Sequence, residues 1–559
     1  MTKRDRATYL MLWAILGLLP LFMRPLWEPD EGRYAEIPRE MLASGDWLTP
    51  TLNGVLYFEK PPLQYWISAA SMKLFGLNAV AARLPLALAS LILFWCAWRL
   101  AQRLGARGPI WALVMTSTTL LTFVCGQLLT LDALFSAFLV LALTAAVEAV
   151  AARFRGEAST GWTLLLYIAL AAAVLTKGPV ALVLLVGILG LSLPFAWKDP
   201  KLRKAVLVMG FHPLGWLLFF GLTAPWFYFV NKANPGHARF FFIHEHLTRF
   251  LTHEHARQGS DNPFLDKLYF PGILLVGMLP WLSHSLVGLK RGLAFVRRTT
   301  GPQGIEAALN RWTVATMLMA FAWPLFFFTL SGSKLAPYIL PVVVPMLAMG
   351  CTFEEKGEEF KSLKRIAIEL FVLGAIFLVG GIAFARDLNG GQGWVMGLGV
   401  MFGLVGVWAL NPKHLTAPRW MASLGGCMLL LVFVSDRVAS AGKDVAPLVH
   451  RAPANSQWIS FGVYFQGLSF HSRQRCVVVA GTGELGFGKG QLAKAEQDRW
   501  FVEDPLQLGT TAHRMRLEDP SKPVMLLAHR DDWGRLPEAD RAEWQVMEHT
   551  PGAVLARLR

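Results

Sequence analysis

Apolar runs long enough to cross a bilayer recur along almost the whole of this sequence, and they leave the chain only one kind of environment to fold in. They lie near 7–24, 84–102, 109–129, 132–152, 162–176, 180–197, 205–230, 267–288, 312–330, 335–352, 366–385, 394–410 and 420–435. A helix needs about 20 mainly apolar residues to span the hydrocarbon core, so about thirteen transmembrane helices are predicted. The 162–176 run is short and leans on its neighbours. Composition agrees: 54% of the 559 residues are hydrophobic and only 16% are charged, against ~25% charged in soluble domains. A soluble enzyme and a disordered chain are excluded. So is a transmembrane barrel, because the runs are continuous rather than alternating.

The net charge of +15 would suggest nucleic acid in a soluble protein. Here the basic residues stand between apolar runs, so topology is the better reading and no nucleic acid partner is expected. With the N-terminus inside, the inner connections carry Lys3/Arg4/Arg6, Arg99/Arg103/Arg107, Arg153/Arg155 and Lys198/Lys201/Arg203/Lys204. Later ones carry Lys290/Arg291/Arg297/Arg298/Arg311, Lys356/Lys361/Lys364/Arg365 and Lys413/Arg419. Every inner loop is basic, as the positive-inside rule requires. The segment 63–76 is apolar but short, and a crossing there would put Arg99, Arg103 and Arg107 outside. The stretch 25–83 is therefore read as one external loop with two helices lying in the interface. The N-terminus has a basic start and no small-residue cleavage site, so the first span is expected to be retained. Five scattered cysteines suggest no disulfide framework or zinc cluster. Residues 1–435 form the membrane domain. Residues 436–559 alternate strand-like runs with polar, Gly- and Pro-containing stretches and are predicted to form a small external α/β domain.

The informative charges are those the topology places outside: Arg33, Arg39, Lys60, Arg83, Lys177, Arg249, Arg257, Lys334 and Arg386. Several stand beside turn residues at membrane ends, where cations suit phosphate on lipids. Snorkelling explains any single one as well. Acidic residues cluster on the same side. WEPDEGRYAE follows the first span and holds Asp30 and Glu31, and Asp132 opens a later span. An ionisable group at that depth is costly and marks function by default, although Asp132 alone reads equally as a helix N-cap.

The loop 237–255 carries His237, His244-Glu245-His246 and His253-Glu254-His255. This composition suits a divalent metal, with Glu59, His244 and His246 as candidate ligands. It also lacks HExxH, which favours structural or headgroup-facing histidines. The run GTGELGFGKGQ lacks P-loop spacing and lies in the external domain, so no nucleotide site is read there.

WEPDEGRYAEIPREML, YFEKPPLQYW, Asp132, TKGPVA and SGSKLAPYILPVVVP, in that order, resemble the bacterial lipid A 4-amino-4-deoxy-L-arabinose transferases. These are type C glycosyltransferases, related to the protein O-mannosyltransferases, that use polyprenyl-phosphate sugars. The resemblance covers about residues 1–435. It implies a multi-pass protein of the bacterial inner membrane with a cytoplasmic N-terminus, and with its active site and C-terminal domain in the periplasm. It implies undecaprenyl phosphate-aminoarabinose as donor, a lipid A phosphate as acceptor, inversion at the anomeric carbon, and resistance to polymyxin and cationic peptides. Carried onto this chain, the acidic motifs give Asp30, Glu31 and Asp132 as catalytic residues. Arg33, Tyr57, Lys60, Lys177, Arg249, Lys334 and Tyr338 are the candidates for the donor and its phosphate.

The chemistry suits these residues. The sugar leaves a phosphodiester whose departing oxygen gains charge, which rim cations stabilise. No nucleotide or soluble cofactor is required. An acceptor phosphate is already an anion, so the carboxylates would orient the acceptor, hold the sugar's amino group or balance oxocarbenium-like charge. With a Ser or Thr acceptor, Asp30 would instead act as a base. A relative that glycosylates protein or another glycan is the first alternative. A transporter is the second, and the absence of inverted repeats and of paired midplane charges counts against it. Oligomeric state is not legible.

Overall fold

The computed structural model describes residues 1–248, 262–298, 306–352, 359–411, 413 and 416–559. The chain is a multi-pass helical membrane protein with a C-terminal sheet domain. Among the described residues, nine helices are long and apolar enough to cross a membrane, or ten if one bent pair counts as a span. Apolar helices Val180–Phe195 and Ala336–Thr352 are shorter.

Two of the predicted continuous spans are broken, and the breaks meet. The 109–129 run divides into Ile110–Thr118 and Leu120–Cys125, with Thr119 extended at ψ 128°. The 267–288 run bends by 113° between Phe264–Gly277 and Leu282–Arg297, where Pro280 cannot continue the helical ladder. The Leu120 N–H donates to the Leu279 carbonyl at 3.0 Å, so each break satisfies the other's backbone. Glu369 completes the repair by accepting from the Leu282 and Ser283 N–H groups at 2.8 and 2.7 Å. Non-helical backbone at membrane depth is tolerated only with such partners.

The centre of the bundle is Leu131–Arg155, with Ala133, Ala137, Ala142, Ala145, Ala146 and Ala149 all buried. Small side chains let neighbouring backbones approach, which drives helix packing where lipid is as apolar as leucine. Large apolar side chains such as Leu217, Phe220 and Tyr228 stay exposed on Pro213–Ala233, as a lipid-facing surface requires.

Side-chain contacts sort the loops into two ends. At one end Arg99 pairs with Glu148 at 2.8 Å, Arg155 with Glu306 at 2.5 Å, and the Cys351 thiol lies 3.5 Å from the Gly108 carbonyl. At the other, Arg83 pairs with Glu31, Lys60 with Glu245 and Lys334 with Asp266.

The loop 25–83 contains helices Asp30–Ser44 and Leu63–Phe75, joined through a hairpin of β1 (Thr51–Leu52) and β2 (Val55–Leu56). Its two-residue turn is Asn53-Gly54 with φ 52° and 69°, the dipeptide favoured where both central residues need positive φ. Leu63–Phe75 buries Gln64, Tyr65, Ser68 and Met72 and exposes Leu74 and Phe75 at its end. Asp30–Ser44 differs from the interfacial placement: Glu31 to Arg39 and Met41 are buried. The C-terminal domain covers it, so protein rather than headgroups encloses this helix.

The last span runs to Lys443 rather than to 435. Its extra turns hold the loop, since Trp27 Nε1 donates to Ser440 Oγ at 2.9 Å and the Glu28 N–H to the Lys443 carbonyl at 3.0 Å. Beyond it stand β3 (Gln457–Phe461), β4 (Val477–Val479), β5 (Phe501–Val502), β6 (Val524–His529), β7 (Trp544–His549) and β8 (Ala553–Leu558). The sheet order is β5-β4-β3-β6-β8-β7. The first four are parallel and β8 pairs antiparallel with both β6 and β7, which makes an α/β domain with an antiparallel edge.

Candidate functional site

Two groups of charges occupy the end of the bundle beneath the sheet domain. The deeper one is a knot around Glu31. Arg24 Nη2 and Arg83 Nε each donate to Glu31 Oε1 at 2.9 Å, and Arg83 Nη2 donates to Oε2 at 2.7 Å. The Leu129 N–H reaches Oε1 at 2.9 Å and the Trp27 N–H reaches Oε2 at 3.0 Å. The side chains of Glu31, Arg24 and Arg83 are at most 2% exposed. Burial pushes the Glu31 carboxyl up, but Arg83 and then Arg24 outweigh it and hold it at about 2. Arg83 also donates to the Arg24 carbonyl at 2.7 Å. One carboxylate thus ties the first span, the loop helix, the second span and the turn before Leu131.

The second group lines an open rim. Asp30, one residue before Glu31, points the other way, with its side chain 51% exposed. It pairs with Arg33, whose side chain is 3% exposed. The other arm of that guanidinium pairs with Glu484 of the sheet domain and donates to Tyr57 Oη at 3.3 Å. Burial opposes the Arg33 charge, but Tyr57, Glu484, Tyr34 and Asp30 outweigh it and hold its pKa well above the ordinary value. Asp132 lies in the first turn of Leu131–Arg155. The N-cap position there belongs to Thr130, so capping does not account for Asp132. Its carboxylate pairs with Lys177, whose Nζ stands 4.0 Å from the centroid of the Tyr338 ring, within cation–π range.

Tyr34 joins the two halves of the rim. Burial raises its phenol, Arg33 opposes the rise, and the Asp30, Asp132 and Glu59 carboxylates add to it. Its ring stacks on Tyr65 at 6.0 Å. Lys60 Nζ donates to Glu245 Oε2 at 3.2 Å and to the Glu59 carbonyl at 2.7 Å. Lys334 is buried and donates to Asp266 Oδ2 at 2.8 Å and to the Ser331 carbonyl at 2.6 Å. Arg33, Lys60, Lys177 and Lys334 thus each face a carboxylate.

Arg33 lies 5.2 Å from the Tyr34 ring and contacts Asp30 and Tyr57, the Asp132 and Glu59 carboxylates act on Tyr34, Lys177 and Tyr338 stand beside Asp132, and Lys60 is next to Glu59. The structure assigns Glu31 to the separate buried knot. Of the metal candidates, His244 Nδ1 lies 3.7 Å from Glu245 Oε1 and the ring stacks on Phe240 at 5.2 Å. Among the described residues no three His, Cys, Asp or Glu side chains converge to hold an ion. Arg249, Arg257, His253–His255 and the side chain of His246 lie outside the described residues. Sequence reasoning missed Tyr34, Tyr65, Asp266 and Glu484. Tyr34 and Tyr65 stand inside the motifs already singled out, and Glu484 stands inside the glycine-rich run.

A family model described as dolichyl-phosphate-mannose-protein mannosyltransferase matches residues 6–233. The undecaprenyl phosphate-alpha-4-amino-4-deoxy-L-arabinose arabinosyl transferase of Edwardsiella ictaluri is 32% identical over 535 residues, which is 89% of this chain and 91% of that one. The enzyme numbered 1 in Sodalis glossinidius is 33% identical over 446 residues, 77% of this chain and 74% of its own. The crystal structure of ArnT from Cupriavidus metallidurans bound to undecaprenyl phosphate superposes with a TM-score of 0.76 at 25% identity, covering 99% of this chain and 97% of that one.

Proposed function

This chain belongs to the undecaprenyl phosphate-aminoarabinose arabinosyl transferases, and from that premise we propose that it moves aminoarabinose from undecaprenyl phosphate to a phosphate of lipid A. The basic-loop count supports transfer at the periplasmic face of the inner membrane. The observation that carries the reading is the rim itself, with Asp30, Arg33, Asp132, Lys177, Lys60 and Tyr338 gathered at one end of a membrane glycosyltransferase.

In the proposed step an acceptor phosphate oxygen attacks the anomeric carbon as the bond to the carrier phosphate breaks, with inversion. The donor phosphodiester carries one negative charge and the departing monoester carries two, so charge develops on the leaving oxygen. Arg33, Lys60, Lys177 and Lys334 are positioned to stabilise it. No proton has to be removed from an anionic acceptor. Asp30 and Asp132 are left to hold the sugar's ammonium group and to balance positive charge at the anomeric carbon. Glu31 acts as a positioning residue that fixes the start of the loop helix bearing Asp30. The scheme uses no nucleotide, because the donor is already activated. Capping a lipid A phosphate lowers the negative charge of the cell surface, so resistance to polymyxin follows from the same reading.

The test is mass spectrometry of lipid A from a transferase-null strain that makes the donor, complemented with wild type or Asp30→Ala. One aminopentose added by wild type and not by the mutant supports the reading. No addition with the protein present in the membrane shifts the acceptor to protein or another glycan.

A further inference from the structure

The glycine-rich run 481–490, whose spacing excludes a P-loop, forms the contact between the sheet domain and the rim. Gly488 has no room for a Cβ against the Leu56 carbonyl, so the loop lies directly on β2. Phe487 stacks on Phe240 with centroids 3.9 Å apart and meets Phe58 at 6.0 Å, two residues from Lys60. Nearby, Asn53 Nδ2 donates to the Cys476 carbonyl at 3.0 Å and the Cys476 N–H returns to Asn53 Oδ1 at 2.9 Å. Held by its own Gly488 and Phe487 contacts, the loop brings Glu484 to Arg33 across 451 residues of sequence.

We infer that Glu484 is a positioning residue for the transfer: it holds one arm of the Arg33 guanidinium while Asp30 holds the other, so that the C-terminal domain sets where Asp30 presents its carboxylate. This rests on the reading of Asp30 as part of the transfer site. Arg33 is buried, and its Nε has no hydrogen-bond partner among the described residues. Among the described residues, the two carboxylates, the longer bond to Tyr57 and the Tyr34 ring 5.2 Å away fix its plane. Without the Glu484 charge, a buried guanidinium has one strong acceptor left, Asp30, and turns to take it with both arms. Asp30 is then drawn into the ion pair and away from the sugar.

The experiment uses the purified full-length enzyme in nanodiscs with undecaprenyl phosphate-aminoarabinose and lipid A. For Glu484→Gln we expect kcat to fall about 10-fold or more while the donor KM stays within about 2-fold and the melting temperature is unchanged. Glu484→Asp recovers part of the rate. Added to Arg33→Lys, Glu484→Gln costs less than about 2-fold more, because the two residues act as one unit. Asn53→Ala, which loosens the same domain contact without touching Arg33, keeps kcat within about 2-fold of wild type. The inference is overturned if Glu484→Gln keeps its kcat while Asp30→Asn is inactive. It is equally overturned if the Glu484 effect multiplies with that of Arg33→Lys, or is matched by Asn53→Ala, since Glu484 is then a docking contact only. An active Asp30→Asn instead removes the reading of the site, whatever Glu484 does.

Discussion

Asp30 and Glu31 are adjacent in sequence, yet they belong to regions built on opposite principles. The knot around Glu31 is closed, with two arginines and two backbone N–H groups on one carboxylate and almost no exposed surface. The rim around Asp30 is a series of small ion pairs, several with a member open to solvent, from 51% exposed for Asp30 and 18% for Lys60 to 12% for Lys177. A closed network in low dielectric cannot exchange partners without leaving charges unpaired. A single pair at an open edge can give its cation to an incoming phosphate. Charge near a membrane surface therefore does not identify the chemistry by itself; the freedom of the charge to change partner does.

The largest effect separating the regions is expected at the knot. Glu31→Gln leaves Arg24 and Arg83 buried without their counter-charge, which costs about 3–5 kcal/mol. The variant should show poor recovery from the membrane and a lowered melting temperature. A variant that melts like wild type would contradict the structural role given to Glu31. Next comes Asp30→Asn, where about a 10²–10³-fold loss of kcat is expected with stability unchanged. Lys60→Ala tests the rim from the donor side. It should raise the donor KM about 10-fold, read by varying the donor at fixed lipid A, because the partly exposed Lys60 can give up Glu245 for the donor phosphate.

A smaller, pH-dependent effect is expected where the two domains meet. Glu28 accepts the Gln466 and Gly467 N–H groups at 2.8 and 2.5 Å. Burial raises its carboxyl to about 8, against the opposing pull of those bonds. The docked state thus keeps a proton that the undocked chain releases near 4.5. Docking is strongest below that value and weakens as pH rises to about 8, above which the contribution is gone. Limited proteolysis of the domain junction should follow this curve in wild type and lose it in Glu28→Gln. Asn53→Ala, which removes two neutral hydrogen bonds at the same junction, should cost only about 1–2 kcal/mol of docking.

Much of the rim was legible because its residues sit at helix ends in short ordered motifs, as Lys60 before Pro61-Pro62 and Lys177 before Gly178-Pro179 do. The split between Asp30 and Glu31 was not legible. It depends on Arg24, seven residues away, and on Arg83 and the Leu129 N–H, which reach Glu31 from two distant segments. The breaks at Thr119 and Pro280 were hidden for a similar reason. Each run is apolar enough to span, and only the Leu120–Leu279 bond and the Glu369 cap show how an interrupted helix survives there. Glu484 carried a signal, a run of glycines that lets a loop approach another backbone, but nothing local to say which backbone.

In the proposed function aminoarabinose passes to lipid A at the Asp30 rim and not through the Glu31 knot. The most direct measurement is transfer by the purified enzyme, in nanodiscs holding donor and lipid A, for wild type and Asp30→Asn, with melting temperatures recorded on the same samples. The account predicts turnover by wild type, and for Asp30→Asn its loss at an unchanged melting temperature. Turnover by Asp30→Asn close to wild type, or a wild-type enzyme that consumes donor only with a protein acceptor, would contradict it.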